Sequence, residues 1–256
     1  MKLKMKNSSL KILSYFFPHT CLSCHEVFAY GDEREFCGSC QKEILHLSDS
    51  ICKICGEDLK NPDLHSSLCG DCLQDKPPFE WARSVFELSP TLSKILYSFK
   101  YAADESALSW MNEQIFGYLK SHFEDIQFDY ILPVPLHSWR LIRRGYNQSL
   151  LLAKKLAQSR NEKLDFENLV KQKSTSAQST LSKKERLKQL RGAFLLKKKE
   201  KYQKQKVLII DDVYTTGSTL RECAQVLKEA GAEVYVMTLA RTPLSFTLSP
   251  GGSGVG

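Results

Sequence analysis

Eight of the nine cysteines lie before residue 73, in four C-x-x-C pairs: Cys21/Cys24, Cys37/Cys40, Cys52/Cys55 and Cys69/Cys72. No other feature restricts the N-terminal third of the chain so tightly. Residues 18–75 are rich in Cys, Gly and Asp and poor in apolar periodicity, so they lack the side chains for a core of their own. Cysteines in a small secreted domain suggest disulfides, but evenly repeated C-x-x-C pairs favour metal. Twelve residues separate Cys24 from Cys37 and thirteen separate Cys55 from Cys69. Four thiolates at such spacing make a closed tetrahedral zinc site, so two sequential sites are predicted: Cys21/Cys24/Cys37/Cys40 and Cys52/Cys55/Cys69/Cys72. A site closed by four cysteines is structural, and no catalysis is assigned to it. Iron–sulfur clusters usually need tighter cysteine runs. Disulfides or unligated thiols are the remaining alternative. His25 and His65 are spare and read as solvent-facing, and Cys223 reads as a buried thiol on a helix.

The remaining sequence has another character. The chain has 256 residues, 42% hydrophobic and 25% charged, which suits one medium globular domain with a small appendage. KPPFEW at 76–81 marks a boundary, because paired prolines favour extended backbone. An α/β pattern follows. RSVFEL at 83–88 reads as a strand, 91–100 and about 106–121 as helices, and DYILPVP at 129–135 as a buried strand ended by prolines. Residues 145–160 read as a helix with Leu150, Leu151, Ala153, Leu156 and Ala157 on its apolar side. Residues 171–192 are polar and read as a mobile loop, partly helical at 182–190. AFLL at 193–196 reads as a short strand and 197–206 as a solvated turn region. VLIIDD, apolar on both faces, reads as a parallel-type strand. A helix with Leu220, Cys223, Ala224 and Leu227 inward follows it, closed at Gly231. AEVYVMTLA at 232–240 is a further buried strand. The expected organisation is 18–75, a cysteine module; 82–243, an α/β domain; and 244–256, a disordered tail.

The most informative segment is VLIIDDVYTTGSTL at 207–220: a buried strand, two adjacent carboxylates, T-T-G-S-T, then a helix. Such a strand carries its loop to the carboxyl edge of a parallel sheet, where open α/β folds bind ligands. The helix that follows offers free N–H groups and a positive dipole end. Thr215, Thr216, Gly217, Ser218 and Thr219 would surround a phosphate with backbone amides and short hydroxyls, with Gly217 permitting close approach. Asp211 and Asp212 accept hydrogen bonds, which suits vicinal ribose hydroxyls. The plainer alternative is ordinary helix capping and turn chemistry. A Walker A loop is excluded, because no G-K-[ST] ending is present.

VLIIDDVYTTGSTL resembles the signature of type I phosphoribosyltransferases, which bind 5-phosphoribosyl-1-diphosphate. LPVPLHSWRLIRRGYNQSLLLAKKLA at 132–157, SAQSTLSKKERLKQLRGAF at 176–194 and LARTP at 239–243 resemble the motifs of the ComF family, the ComFC/GntX-like proteins. Gln189, Lys171 and Tyr146 stand where that family usually has Asn, Arg and Phe. The resemblance spans 18–243 and implies a type I phosphoribosyltransferase-like parallel sheet flanked by helices, with a small N-terminal double zinc ribbon. It implies that Asp211 and Asp212 contact the ribose and that Thr215 through Thr219 hold the 5′-phosphate. Val134 and Pro135, with Leu136, then belong to the diphosphate loop, followed by Arg143 and Arg144, which are otherwise a solvated helix end. Lys100 either reaches the diphosphate or favours a helix C-terminus. Gln178 and Arg186 correspond to the mobile hood that closes over the ligand. Mg²⁺ would accompany the bound diphosphate.

Residues 140–206 carry 20 Lys and Arg against 5 Asp and Glu, a net of +15, while the whole chain is only +7. That segment calls for an anionic partner, which phosphorylated small molecules and nucleic acid both satisfy. Tyr146, Phe194 and Tyr202 are too scattered to form a base-stacking platform. The family resemblance brings in single-stranded DNA as a partner, and a competence helicase docking on the zinc ribbon. Three functions follow: a Mg²⁺-assisted phosphoribosyl transfer, a competence or DNA-uptake factor that keeps the pocket for regulation, or a transcriptional sensor. No residue pattern specifies an acceptor base. No apolar run approaches the length of a membrane span. The N-terminal apolar stretch is interrupted by Lys11 and Ser14, and no small-x-small site follows it, which points to the cytoplasm.

Overall fold

Strands buried on both faces must lie inside a covered sheet, and the computed structural model places the two most apolar ones at its middle. The structure describes residues 19–29, 32, 34–48, 50–59, 67–102, 104–137, 141–142, 145–173 and 189–243. The elements are helices α1 (Gly38–Lys42), α2 (Gly70–Gln74), α3 (Pro90–Ala102), α4 (Glu105–Phe123), α5 (Gln148–Arg160) and α6 (Ser218–Glu229). The strands are β1 (Trp81–Glu87), β2 (Tyr130–Pro133), β3 (Lys163–Leu164), β4 (Leu169–Lys171), β5 (Phe194–Leu196), β6 (Lys206–Tyr214) and β7 (Glu233–Arg241). A five-stranded sheet runs β1-β7-β6-β2-β3, and every pairing in it is parallel. β4 and β5 form a separate antiparallel hairpin. Among the described residues no helix is long and apolar enough to cross a membrane.

Alternation along the strands divides the core. Leu208 and Ile210 of β6, with Tyr235, Met237 and Leu239 of β7, pack against Leu92, Ile95 and Phe99 of α3, Met111 and Ile115 of α4, and Leu152 and Leu156 of α5. Val207, Ile209, Val234 and Val236 point the other way, onto Leu220, Cys223, Ala224 and Leu227 of α6 and Leu169, Phe194 and Leu196 of the hairpin. Each fully buried side chain of this kind contributes about 1.5–3 kcal/mol. In α5 Ala153, Leu156 and Ala157 are buried as expected, while Leu150 and Leu151 are half-buried and Leu152, not among the expected residues, is buried with them.

The segment 197–206 corrects the expectation of a solvated turn. A 3-10 turn at Lys199–Tyr202 sinks Tyr202 to zero exposure, where its hydroxyl donates to Asp165 Oδ2 at 2.8 Å. Its lysines hid one aromatic that the core uses. Strand β6 continues beyond the two carboxylates to Tyr214, because Val213 and Tyr214 pair with Ala240 and Arg241.

The cysteine module lies along the outer edge of β1. Ala82 N–H donates to Ile54 O at 2.7 Å, Glu87 N–H to Leu45 O at 2.9 Å, and His46 bridges Phe86 in antiparallel sense. An open strand edge invites pairing with other chains, and here the module covers it. Phe28, Phe36 and the first cysteine group share one core with α3 and α4, and Phe36 meets Trp110 edge-on at 5.1 Å. Pro77 is buried and Phe79 is 1% exposed on the way into β1.

Candidate functional site

The carboxyl ends of β2, β6 and β7 and the starts of α5 and α6 converge at one sheet edge. Asp211 and Asp212 follow Ile210 on β6, and their partners Ser149 and Lys100 belong to α5 and α3, the helices that cover the Leu208 and Ile210 face of the sheet. Ser149 Oγ donates to Asp211 Oδ1 at 2.6 Å, and the Asp212 N–H donates to the same oxygen at 3.0 Å. Asp212 accepts from the Val213 N–H at 2.8 Å and pairs with Lys100 Nζ at 2.6 Å. Burial, and next the neighbouring Asp212 charge, push the Asp211 carboxyl up to about 7, against the lowering effect of Ser149, the Asp212 N–H and Lys100. Among the described residues neither carboxylate bonds the 215–219 loop. A sugar would therefore share or replace the hydrogen bonds of Ser149 and Lys100.

Lys100 has the helix-terminal place that one of its two expected roles requires, and it also has a carboxylate partner that the sequence does not predict. It stands in the last turn of α3, with its ammonium on Asp212.

The start of α5 explains how the acid pair is held. Asn147 caps the helix by accepting from the Ser149 N–H at 3.1 Å, and its amide donates to Val134 O at 3.0 Å. Tyr146 Oη donates to Phe99 O, and Gln148 Nε2 to Lys100 O at 3.3 Å. Four consecutive side chains therefore tie the end of α3, the loop after β2 and the carboxylate of β6 together. The G-Y-N-Q-S run is visible in the sequence, but no role for Asn147, Gln148 or Ser149 follows from it alone. The available signal was a block of polar residues directly before the apolar run of a helix. The Val134 N–H donates to Ile210 O at 3.0 Å, which sets the expected diphosphate loop, with Val134 and Pro135, beside the residue preceding Asp211.

On the other side of the acid pair, Thr215, Thr216 and Gly217 turn into α6. Gly217 is the N-cap, with φ of 71° and no side-chain cap. The first N–H groups of this 12-residue helix have no carbonyl of their own helix to bond, so they offer donors at the sheet edge. Thr216 Oγ1 and Ser218 Oγ lie 2.9 Å apart. Thr215 is exposed, Thr216 and Thr219 are half-buried, and Gly217 and Ser218 are buried. The loop is a cup of amides and hydroxyls, which is anion-binding chemistry. Arg143, Arg144, Gln178 and Arg186 lie outside the described residues, as do the 174–188 segment and the 244–256 tail.

The cysteines group as their spacing suggests. The ligand sulfurs of Cys21, Cys24, Cys37 and Cys40 lie within 4.8 Å of one another, as do those of Cys52, Cys55, Cys69 and Cys72. Zn–S bonds of about 2.3 Å imply sulfurs roughly 3.8 Å apart in a tetrahedron. Cys24 and Cys37 are 3.7 Å apart and Cys55 and Cys69 3.5 Å, so both quartets fit zinc. The knuckles repeat each other: Thr20 bridges Val27 and Ile51 bridges Asp58, and His25 and Gly56 take the same left-handed turn. Gly56 is required for a further reason, since a Cβ there would lie 2.6 Å from Ala82 O.

Arg241, at the end of β7, was noted in sequence only as part of a motif. It is 5% exposed. It donates from Nε to Glu57 Oε2 at 2.9 Å and from Nη1 to Cys55 O at 2.7 Å.

Residues 12–73 match the family described as double zinc ribbon domain, and residues 146–244 the family described as phosphoribosyl transferase domain. The chain is similar to competence protein F of Haemophilus influenzae, 33% identical over 88% of this chain and 98% of that protein. It is similar to the same degree, over the same shares, to DNA utilization protein YhgH of Escherichia coli K12. Competence protein ComFC of Bacillus subtilis is 28% identical over 84% of this chain and 88% of its own length.

Proposed function

Because the chain belongs to the ComF family of competence and DNA-utilization proteins, with a double zinc ribbon and a phosphoribosyltransferase domain, we propose that it binds 5-phosphoribosyl-1-diphosphate at the carboxyl end of β6. One observation carries this reading: an acid pair and an uncapped helix N-terminus stand at the two ends of Asp211–Ser218, on one sheet edge. Asp211 and Asp212 take the ribose hydroxyls as acceptors. Thr215, Thr216, Gly217, Ser218 and Thr219 take the 5′-phosphate. Val134 and Pro135 flank the diphosphate, with Arg143 and Arg144 as its cations and Gln178 and Arg186 closing over it. Lys100 partly neutralises the acid pair until ligand arrives. Mg²⁺ prefers oxygen donors and several waters, so the ligand's own oxygens would hold most of it, with Asp211 and Asp212 nearby. Calorimetry with the ligand and Mg²⁺ tests the reading. The double variant Asp211→Ala, Asp212→Ala should weaken binding at least about a hundredfold, roughly 2.7 kcal/mol. Equal affinity in the double variant refutes it.

A second reading, contact with single-stranded DNA, draws on the relatives' printed names and on α3. Tyr97 and Tyr101, 65% and 62% exposed, have ring centroids 4.5 Å apart on that helix. Exposed aromatic faces stack on unpaired bases at about 1–3 kcal/mol each. Tyr97→Ala with Tyr101→Ala should weaken an oligonucleotide complex by at least about tenfold at fixed salt. A gel shift that does not respond to the substitutions would rule this out.

A further inference from the structure

The proposed phosphate loop rests on a tyrosine. A Cβ placed on Gly217 would lie 2.2 Å from Tyr214 Oη and 2.5 Å from Cζ, so the ring of Tyr214 forms the wall against which the loop turns. Arg241 covers this ring, with Cζ 4.2 Å from its centroid. The two residues face each other in the β6–β7 register, and the Thr242 N–H donates to Tyr214 O at 3.0 Å. Arg241 in turn is fixed by the second cysteine knuckle. Besides its bonds to Glu57 and to Cys55 O, its Nη2 lies 3.9 Å from Cys55 Sγ. Four thiolates on one Zn²⁺ carry a net charge of −2, so a buried guanidinium at this spot is electrostatically favoured by the loaded site.

A second tie runs parallel to the first. Arg221, in the first turn of α6, donates to Asp75 Oδ2 at 2.6 Å and to Asp75 O at 2.7 Å, just past α2 and Cys72. The Arg221 N–H itself closes the turn on Gly217 O at 2.8 Å. Both ends of the 214–221 segment are thereby tied to the second ribbon. The first ribbon packs instead against α3 and α4.

We propose that Arg241 is a positioning residue: it carries the shape of the second zinc knuckle through Tyr214 to the 215–219 loop, so that binding of a sugar 5-phosphate depends on that knuckle. The inference rests on the phosphoribosyl reading for its ligand, but not for its geometry. The test uses the zinc-loaded full chain and two probes, ribose 5-phosphate for the 215–219 loop and inorganic diphosphate for the loop after β2. Arg241→Met should weaken ribose 5-phosphate about tenfold or more and leave inorganic diphosphate within about twofold. Glu57→Gln, a gentler change, should move the same probe in the same direction by roughly threefold. In both variants hydrogen exchange should quicken across 214–222 and stay unchanged across 130–134. Equal losses for the two probes, or unchanged exchange at 214–222, overturn the proposal. If the unaltered protein binds neither probe, the phosphoribosyl reading fails, and the exchange data alone decide the role of Arg241.

Discussion

Asp211 is a half-buried carboxyl group beside a second carboxylate, while the only cation on the pair, among the described residues, sits on the other member. Its value of about 7 in the fold exceeds the ordinary 3.8, so folding takes up a proton between those limits. Stability from this group is present at low pH and falls as pH rises toward 7. Asp211→Asn keeps an acceptor for Ser149 and removes the charge. It should raise stability by roughly 1–3 kcal/mol at pH 8 and by much less near pH 4. Urea unfolding at the two pH values checks this, and an equal gain at both would contradict it. The acid pair was legible because it stands beside T-T-G-S-T in the chain. Arg241 was not, because its partner Glu57 lies 184 residues away and nothing local marks a buried arginine. Ser149 was hidden for the same reason: its partner Asp211 is 62 residues away.

At the scale of elements, the turn from β6 into α6 permits very little variation. Gly217 is left-handed, which costs an L-residue about 1–2 kcal/mol, and its missing side chain is where the Tyr214 ring lies. Gly217→Ala should cost roughly 2–4 kcal/mol and weaken phosphate binding together with stability. A loss below about 0.5 kcal/mol in denaturant titration would show that the ring gives way freely. The long elements were readable from apolar spacing: α3, α4, α5, α6, β2, β6 and β7 all lie within a few residues of the pattern. β3 and β4, of two and three residues, are too short to carry a period, and only pairing with β2 and β5 defines them. The extension of β6 to Tyr214 was missed because Asp211 and Asp212 look like the end of an apolar run. Backbone pairing with β7 continues regardless of side-chain polarity.

For the whole molecule, the cysteine module and the sheet share one packed core and a set of hydrogen bonds. Cys21, Cys37 and Cys40 belong to the same cluster as Ile115, Leu152 and Met237, and the second knuckle gives its carbonyls to Ala82, Arg83 and Arg241. Elemental analysis should find two zinc ions per chain. A chelator strong enough to remove both should lower the melting temperature of the entire chain by about 10 °C or more, in a single transition. A sheet that melts unchanged after chelation would show that the ribbons are passengers. The cysteine spacing made each quartet legible, but the docking of the module on β1 could not be read, since it is built from backbone groups that any residue supplies.

The order of the strands has one more implication. Trp81 of β1 pairs with Tyr235 of β7, so the first strand to be synthesised has the last one as its sheet neighbour. Contacts this distant along the chain are slow to form, because a long loop must close before they give any return. During translation β1 therefore waits, with one flank open, until nearly the whole polypeptide has emerged. The metal-bearing segment made just before it is by then able to shield the other flank.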